Sequence, residues 1–591
     1  MRRLRVLVFV AGAAVLPGTG CAQAAPTTTA PMPSTTRVST PAAAGRPAGL
    51  RGRAIAVPGL AALNKGRNAE VSSVSCAAPG SCAAAGFYTD GGGHRQGFVA
   101  VERNGRWRQA VEVPGLGGLN KGRNADVSSV SCASPGSCAA VGGYTDGGGR
   151  RQGFVAVEVN GVWGRAAEVP GLGALNEGGH AGVSSVSCGS AGSCAAVGDY
   201  TDGGGHQQGF VAVERNGRWR QAVEVPGLEV LNKGRNADVN SVSCASLGSC
   251  AAVGGYTDGG GHRQGFVAVE ENSVWGRAAE VPGLGFLNEG GHAGVNSVSC
   301  GSAGSCAAVG DYTDGSGHQL GFVAVEENSV WGRAAEVPGL GALNKGGGAY
   351  VSSVSCASPG SCAAGGDYRA GAVGNWYAFV VSEQNGSWGT ARQVAGNLST
   401  GPGGDAGVDT VSCGSPGNCA AGGQYGNATG DQAFVISEVN GTWAAAQAVA
   451  GTRSSTGGAQ VTSVSCASAG NCAAGGQFDY GGYNAAFLVN EKNGAWGKLI
   501  YVPGLNGVSR DAYLSSVSCA SAGNCAAGGD YDLGVFVASE KNGVWGKETT
   551  VPGALPVEAV RSVSCASAGS CVAAGSYQGT GRGYVLQGFV T

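Results

Sequence analysis

Beyond about residue 50 the chain reads as short runs of small apolar and β-branched residues broken by Gly, Pro, Asn and Asp, and the breaks recur on a period. The stretch from Val127 to Leu172 shows one unit. Val127-Ser128-Ser129-Val130-Ser131-Cys132 sets apolar residues among serines and predicts a first strand. A turn containing Pro135-Gly136 leads to a second strand over Cys138 to Tyr144, and the Asp-Gly chemistry of Thr145 to Gly149 marks another turn. Gly153 to Glu158 is the third strand. Asn160-Gly161 signals a tight hairpin, and a fourth strand over Trp163 to Val169 stops at Pro170-Gly171. Four antiparallel strands in a unit of this size predict a propeller blade.

Cysteines count the units. They come in pairs with five residues between the members: Cys76–Cys82, Cys132–Cys138, Cys188–Cys194, Cys244–Cys250, Cys300–Cys306, Cys356–Cys362, Cys413–Cys419, Cys466–Cys472, Cys519–Cys525 and Cys565–Cys571. Successive first cysteines lie 56 residues apart through the sixth pair, then 57, 53, 53 and 46 apart. The spacing places both members at the base of one hairpin, where a disulfide can form and close a small loop for about 2 kcal/mol. It is not the spacing of a zinc site, no histidine accompanies the pairs consistently, and no metal or cofactor is expected.

The tenth unit has three strands and then the chain stops, while Arg53 to Leu60 matches a fourth strand with no first three before it. The expected fold is therefore all-β, a β-propeller of four-stranded antiparallel blades in residues 51–591. A single ten-bladed ring closed by strand 53–60 is favoured over two rings of five, because pairing the two ends leaves no exposed sheet edge between them.

The N-terminus changes the picture of where the chain works. Met1-Arg2-Arg3-Leu4-Arg5 and the apolar run from Val6 to Leu16 have the form of a signal peptide over residues 1–20, too short to span a bilayer. Gly18-Thr19-Gly20-Cys21 resembles a lipobox whose cysteine is acylated, although Gly18 stands where Leu is usual, and Ala22-Gln23-Ala24 offers an ordinary cleavage site. Residues 21–50 are a Pro/Thr/Ala-rich tether, which suits a domain held off a membrane by Cys21, the one cysteine outside the pairs. The expected location is extracellular, at the cell surface, lipid-anchored or else secreted. Composition agrees with a turn-rich fold: 112 of 591 residues are Gly and only 13% are charged. A net charge of -2 gives no reason to expect nucleic acid.

The phrases Ser463-Val464-Ser465-Cys466-Ala467-Ser468-Ala469-Gly470-Asn471-Cys472-Ala473-Ala474-Gly475-Gly476, Phe379-Val380-Val381-Ser382-Glu383 and Asn542-Gly543-Val544-Trp545-Gly546-Lys547 resemble a repeat of exported proteins from actinobacteria and related bacteria. That resemblance implies a propeller and an exported location, and it carries over no catalytic residue.

Chemistry is mostly missing. There is no sialidase-type Asp box, no nucleophile elbow and no phosphate loop, and all six histidines lie in repeat loops. In a four-stranded blade the turns between second and third strands share a face with the inter-blade loops. Those loops alternate between Lys121-Gly122-Arg123 and Glu177-Gly178-Gly179-His180, again at Lys233-Gly234-Arg235 and Glu289-Gly290-Gly291-His292. The alternation is either electrostatic patterning for a partner or a loop copied with its blade. On the same face Tyr88, Tyr144, Tyr200, Tyr256, Tyr312, Tyr368, Tyr425, Tyr531 and Tyr577 recur, with Phe478 in the remaining repeat. They either cap each blade's core or form stacking platforms for sugars, joined by Trp376, Tyr377, Tyr480 and Tyr483 in the less regular blades. Asp90, Asp146, Asp202, Asp258 and Asp314 read as turn formers, and the fourth-strand tryptophans as packing residues. The function expected is a non-enzymatic surface binding or scaffold module for cell-envelope or environmental carbohydrate, or for a protein, touching membrane only through Cys21. The alternative is an extracellular hydrolase or lyase working over a central channel.

Overall fold

The computed structural model describes residues 53–587, apart from 372–374, 395–404, 428–429, 453–457, 506–510, 533, 548, 551–559, 569 and 576–583. The expected signal peptide, tether and Cys21 fall outside the described residues. So does Tyr577.

Ten antiparallel sheets follow one another along the chain. In blade two they are Ala125–Ser134, Ser137–Thr145 and Arg151–Val159, followed by an outer strand in two pieces, Val162–Trp163 and Ala167–Glu168. The split departs from the continuous fourth strand expected from the sequence. Trp163 faces Glu158 and Ala167 faces Val155, so four steps on one strand oppose three on the other and a bulge absorbs the extra residue. Between the pieces, Gly164 N still donates to Val157 O at 2.8 Å. The hairpin signal holds: Asn160 and Gly161 have φ of 49° and 75°, the pair of positive values that a type I′ turn requires.

The first strands of successive blades pack on one another. Their serines explain the polar half of the pattern, since the serine before each first cysteine accepts a hydrogen bond from the next blade in most blades, while Ser128 donates one to Val183 O. Cys132 N donates to Ser75 Oγ at 3.0 Å, Cys356 N to Ser299 Oγ at 3.1 Å, and Cys565 N to Ser518 Oγ at 3.1 Å. The core lies between blades. Ala195, Val197, Val211 and Val213 of blade three meet Val239, Val242, Phe266 and Trp275 of blade four, all buried. Glycine in the second strands lets backbones close up beside a bulge, and a Cβ on Gly142 would stand 2.0 Å from Asp126 O.

All ten cysteine pairs are disulfides, with Cα atoms 3.9–4.1 Å apart at the first hairpin of each blade. The N-terminal strand Arg53–Ala56 pairs antiparallel with Tyr584–Gln587 and completes the last sheet. Blade ten also touches blade one. Gly80 N donates to Ser570 Oγ at 2.9 Å, the link that joins Gly192 to Ser137 between neighbouring blades elsewhere.

Candidate functional site

The strand directions give the molecule two loop faces. On one, the first hairpin of a blade with its disulfide meets the Asn-Gly hairpin, as Gly105 N bonds Gly80 O at 3.2 Å. On the other, the inter-blade loop meets the turn between second and third strands, as Gly66 N bonds Thr89 O at 2.9 Å. This second, variable face carries nearly all the expected site residues.

In the regular blades that face is committed to structure. Asp90 Oδ1 accepts from Gly92 N at 2.8 Å and His94 N at 2.9 Å, and His94 Nδ1 lies 3.1 Å from Oδ2. Partial burial works against ionisation, yet the backbone bonds from His94 and Gly92 still hold this carboxyl below its ordinary range. Asp202 and Asp258 repeat the arrangement, so the aspartates are turn formers. The alternating loop charge has a counterpart beneath it. Arg151 reaches Asp126 at 2.6 Å in blade two, whereas in blade three the carboxylate moves to Asp199 on the second strand and a glutamine, Gln207, binds it at 3.3 Å.

Among the described residues, the tyrosine circle offers no open stacking platform. Tyr88, Tyr144, Tyr256, Tyr312 and Tyr368 are 2% exposed, Tyr200 and Tyr425 3%, and Tyr531 is half-buried. Their rings fill the space between blades, and the hydroxyls of Tyr88, Tyr144, Tyr200 and Tyr256 donate to fourth-strand glutamates, as Tyr144 does to Glu168 at 2.9 Å. Burial, with the carboxylate beside it, pushes each of these phenols well above its ordinary range. The second strand is buried on both faces, as from Cys138 to Tyr144, so packing against the neighbouring blade leaves these rings no open side.

The irregular blades differ. In blade eight the Tyr–Glu pair is replaced by Phe478, fully buried, with Tyr501 where the glutamate stands elsewhere. Tyr501 packs 6.2 Å from Tyr480, which packs 6.1 Å from Phe478, both edge-on. Tyr480 is 62% exposed and Tyr483 43%. Alongside, Asn484 Nδ2 donates to Tyr513 Oη at 2.9 Å, and Asn484 N donates to Asp511 Oδ1 at 2.6 Å. Blade six builds a second cluster. Tyr350 packs 5.4 Å from Trp376, the Arg369 guanidinium lies 4.7 Å over the indole, and Tyr377 stacks 5.7 Å from the buried Tyr368. Trp376 and Tyr377 are half-buried. Of the expected aromatic residues, the structure thus leaves Tyr480 and Tyr483 open and Trp376, Tyr377 and Tyr531 partly so. Tyr350, Tyr501 and Tyr513 join them without having been singled out in the sequence. The signal that could have found them is their substitution for residues that are polar or Gly in the copied blades.

One further set escaped the sequence reading. Glu102, Glu158, Glu214, Glu270, Glu326, Glu383, Glu438, Glu491 and Glu540 are the last but one residues of the third strands of blades one to nine and are 1–5% exposed. Each faces the blade's tryptophan, as Glu326 faces Trp331. Desolvation by burial pushes the carboxyls of Glu214, Glu270, Glu326, Glu383 and Glu540 up to about 7. In blades four and five these carboxylates lie within 4.8 Å of both cysteine sulfurs, but those sulfurs are bonded to each other and offer no thiolate to a metal.

The sheets and their order define a protein of the β-propeller class. No family model matches the chain, and no curated protein does. Solved structures are similar at low identity. The β-propeller domain of the Trilobed protease from Pyrococcus furiosus is 7% identical at a TM-score of 0.30, covering 60% of this chain and 96% of that one. The BP39L lectin from Burkholderia pseudomallei is 14% identical at a TM-score of 0.28, covering 65% of this chain and 99% of that one. A xyloglucanase from Xanthomonas campestris is 11% identical at a TM-score of 0.26, covering 91% and 94%.

Proposed function

We propose that the protein is an exported, lipid-anchored surface module that binds carbohydrate through the aromatic clusters of blades six and eight. The observation that carries this is the open pair Tyr480 and Tyr483 beside the Asn484–Asp511–Tyr513 polar group. Aromatic faces stack on the apolar face of a sugar ring while a carboxylate and an amide take its hydroxyls. Two shallow clusters on one face add through effective concentration, so neither needs to be a deep pocket. The likeness of the repeats to exported bacterial proteins, the disulfides and the form of the N-terminus support the location. A single ten-bladed ring is the arrangement that the paired chain ends and the Gly80–Ser570 link favour.

A glycan array probed with the Cys21→Ser chain tests the binding. Tyr480→Ala and Tyr483→Ala should each weaken a retained glycan about tenfold, as expected for loss of one stacking contact of ~1–2 kcal/mol. No retained sugar, or retention unchanged in both variants, would sink the carbohydrate assignment and leave a protein partner.

A further inference from the structure

The third strands run from the variable face to the disulfide face, and Arg53 pairs with Gln587 at the far end of the last one, with Ala56 opposite Tyr584. The described chain therefore begins on the disulfide face, at the edge of blade ten. Any attachment through the preceding residues meets the described fold at that face.

Charge on the disulfide face is arranged around this point. The first hairpins carry no charged residue, so charge on this face comes from the Asn-Gly and Asn-Ser hairpin tips and the residues beside them. Arg103 and Arg106 flank the tip in blade one, Arg215 and Arg218 in blade three, and the tips of blades eight and nine carry Lys492 and Lys541. Arg106, Arg218, Lys492 and Lys541 are exposed. Blade ten, where the described residues begin, lies between these two basic groups. Five and four steps from it along the order of blades, blades five and four present Glu327 and Glu271, also exposed. Between the arginine pairs, the tip of blade two is apolar, with Val159 51% and Val162 68% exposed.

We propose that the disulfide face docks on an anionic lipid surface, with the basic tips of blades one, three, eight and nine against the headgroup phosphates. Basic residues near such a surface are each worth about 1 kcal/mol, and an apolar tip among them suits the headgroup boundary. The variable face, with its aromatic clusters, then points away from the membrane and toward ligand. The orientation rests on the anchored reading above, and an assay without the lipid lets the two fail separately.

The Cys21→Ser chain, folded with its disulfides, is sedimented with phosphatidylcholine vesicles with and without phosphatidylglycerol. Partition onto the anionic vesicles should exceed that onto neutral ones about tenfold and fall at high salt. Arg106→Ser and Arg218→Ser should each cost about fivefold, while Lys233→Ser on the variable face costs nothing and all three variants keep any glycan binding. Equal partition onto both vesicle types, or equal loss in Lys233→Ser, would overturn the proposal. Capture by soluble polyphosphate with no partition onto vesicles would also overturn it, in favour of an anionic polymer.

Discussion

Blades two to six and blades seven to nine solve the same packing problem in different ways. Each buries a tryptophan and a glutamate against the preceding blade. In the copied part of the chain, the residue before each buried glutamate is Val101, Val157, Val213, Val269 or Val325. The indole nitrogens of Trp163, Trp219, Trp275, Trp331 and Trp388 find no hydrogen-bond partner among the described residues. In the later part that position holds Ser382, Ser437 or Asn490. Trp443, Trp496 and Trp545 donate to them at 2.6, 2.7 and 2.7 Å. Ser437 also donates to Glu491, and Asn490 to Glu540. One polar side chain thus serves both buried groups. The near-identical early blades share a buried polar cost, whereas the less regular blades have a residue that offsets it.

The widest effect of this difference is on pH dependence. A buried glutamate whose folded-state affinity for the proton is raised above its ordinary value of 4.5 binds more protons folded than unfolded. Its contribution is full below about pH 4.5 and is lost as pH rises through about 7, on the order of 3 kcal/mol per group as an upper figure. Melting temperature should therefore fall between about pH 4.5 and 7, a window set by those two values. Glu326→Gln, at a glutamate without a polar neighbour to share its burial, should flatten that fall more than Glu491→Gln, whose partner Ser437 works against the rise. Equal flattening would remove the distinction between the two sets of blades.

Much of this fold was legible because repetition averages out local noise. The cysteine spacing marked every blade, and the displaced strand at Arg53 predicted the pairing seen with Tyr584–Gln587. The bulge after Trp163 was not legible, since nothing in Gly164-Arg165-Ala166 distinguishes a kinked strand from a straight one. The tyrosines were placed at the correct level of the blade but their direction was left open. Direction depends on register against the next blade, which a single strand does not encode. The buried glutamates were hidden by their own polarity, because a Glu before Asn-Gly reads as a solvated strand end. The departures at Tyr480, Tyr483 and Trp376 were visible as irregularities. Their grouping with Tyr350, Tyr501 and Tyr513 was not, as it joins residues from different strands.

A narrower test breaks the bridge itself. Ser437→Val rebuilds the early-blade arrangement in blade seven and strips a partner from both Trp496 and Glu491. Leaving two buried polar groups unsatisfied should cost about 2 kcal/mol in chemical denaturation. Val269→Ser, which introduces a hydroxyl toward Trp331 and Glu326, should cost less than that or stabilise. A loss of similar size from Val269→Ser would mean that valine packing, not polar satisfaction, decides both sets.

The smallest effect separates the two aromatic solutions. Tyr144→Phe removes the hydroxyl that donates to Glu168 and should cost about 1 kcal/mol while leaving glycan binding unchanged, because the ring is buried. Glu168→Tyr alone places a second phenol beside Tyr144 in a space shaped for a carboxylate, and should also destabilise. The double variant Tyr144→Phe/Glu168→Tyr recreates the Phe478–Tyr501 contact, whose ring centres lie 6.0 Å apart in blade eight. If the two blades are alternative solutions of one site, the double variant should be more stable than the sum of its parts by at least about 0.5 kcal/mol. Strict additivity would show that Tyr501 depends on Tyr480 instead, and that the blade eight cluster owes its form to the exposed turn rather than to the core beneath it.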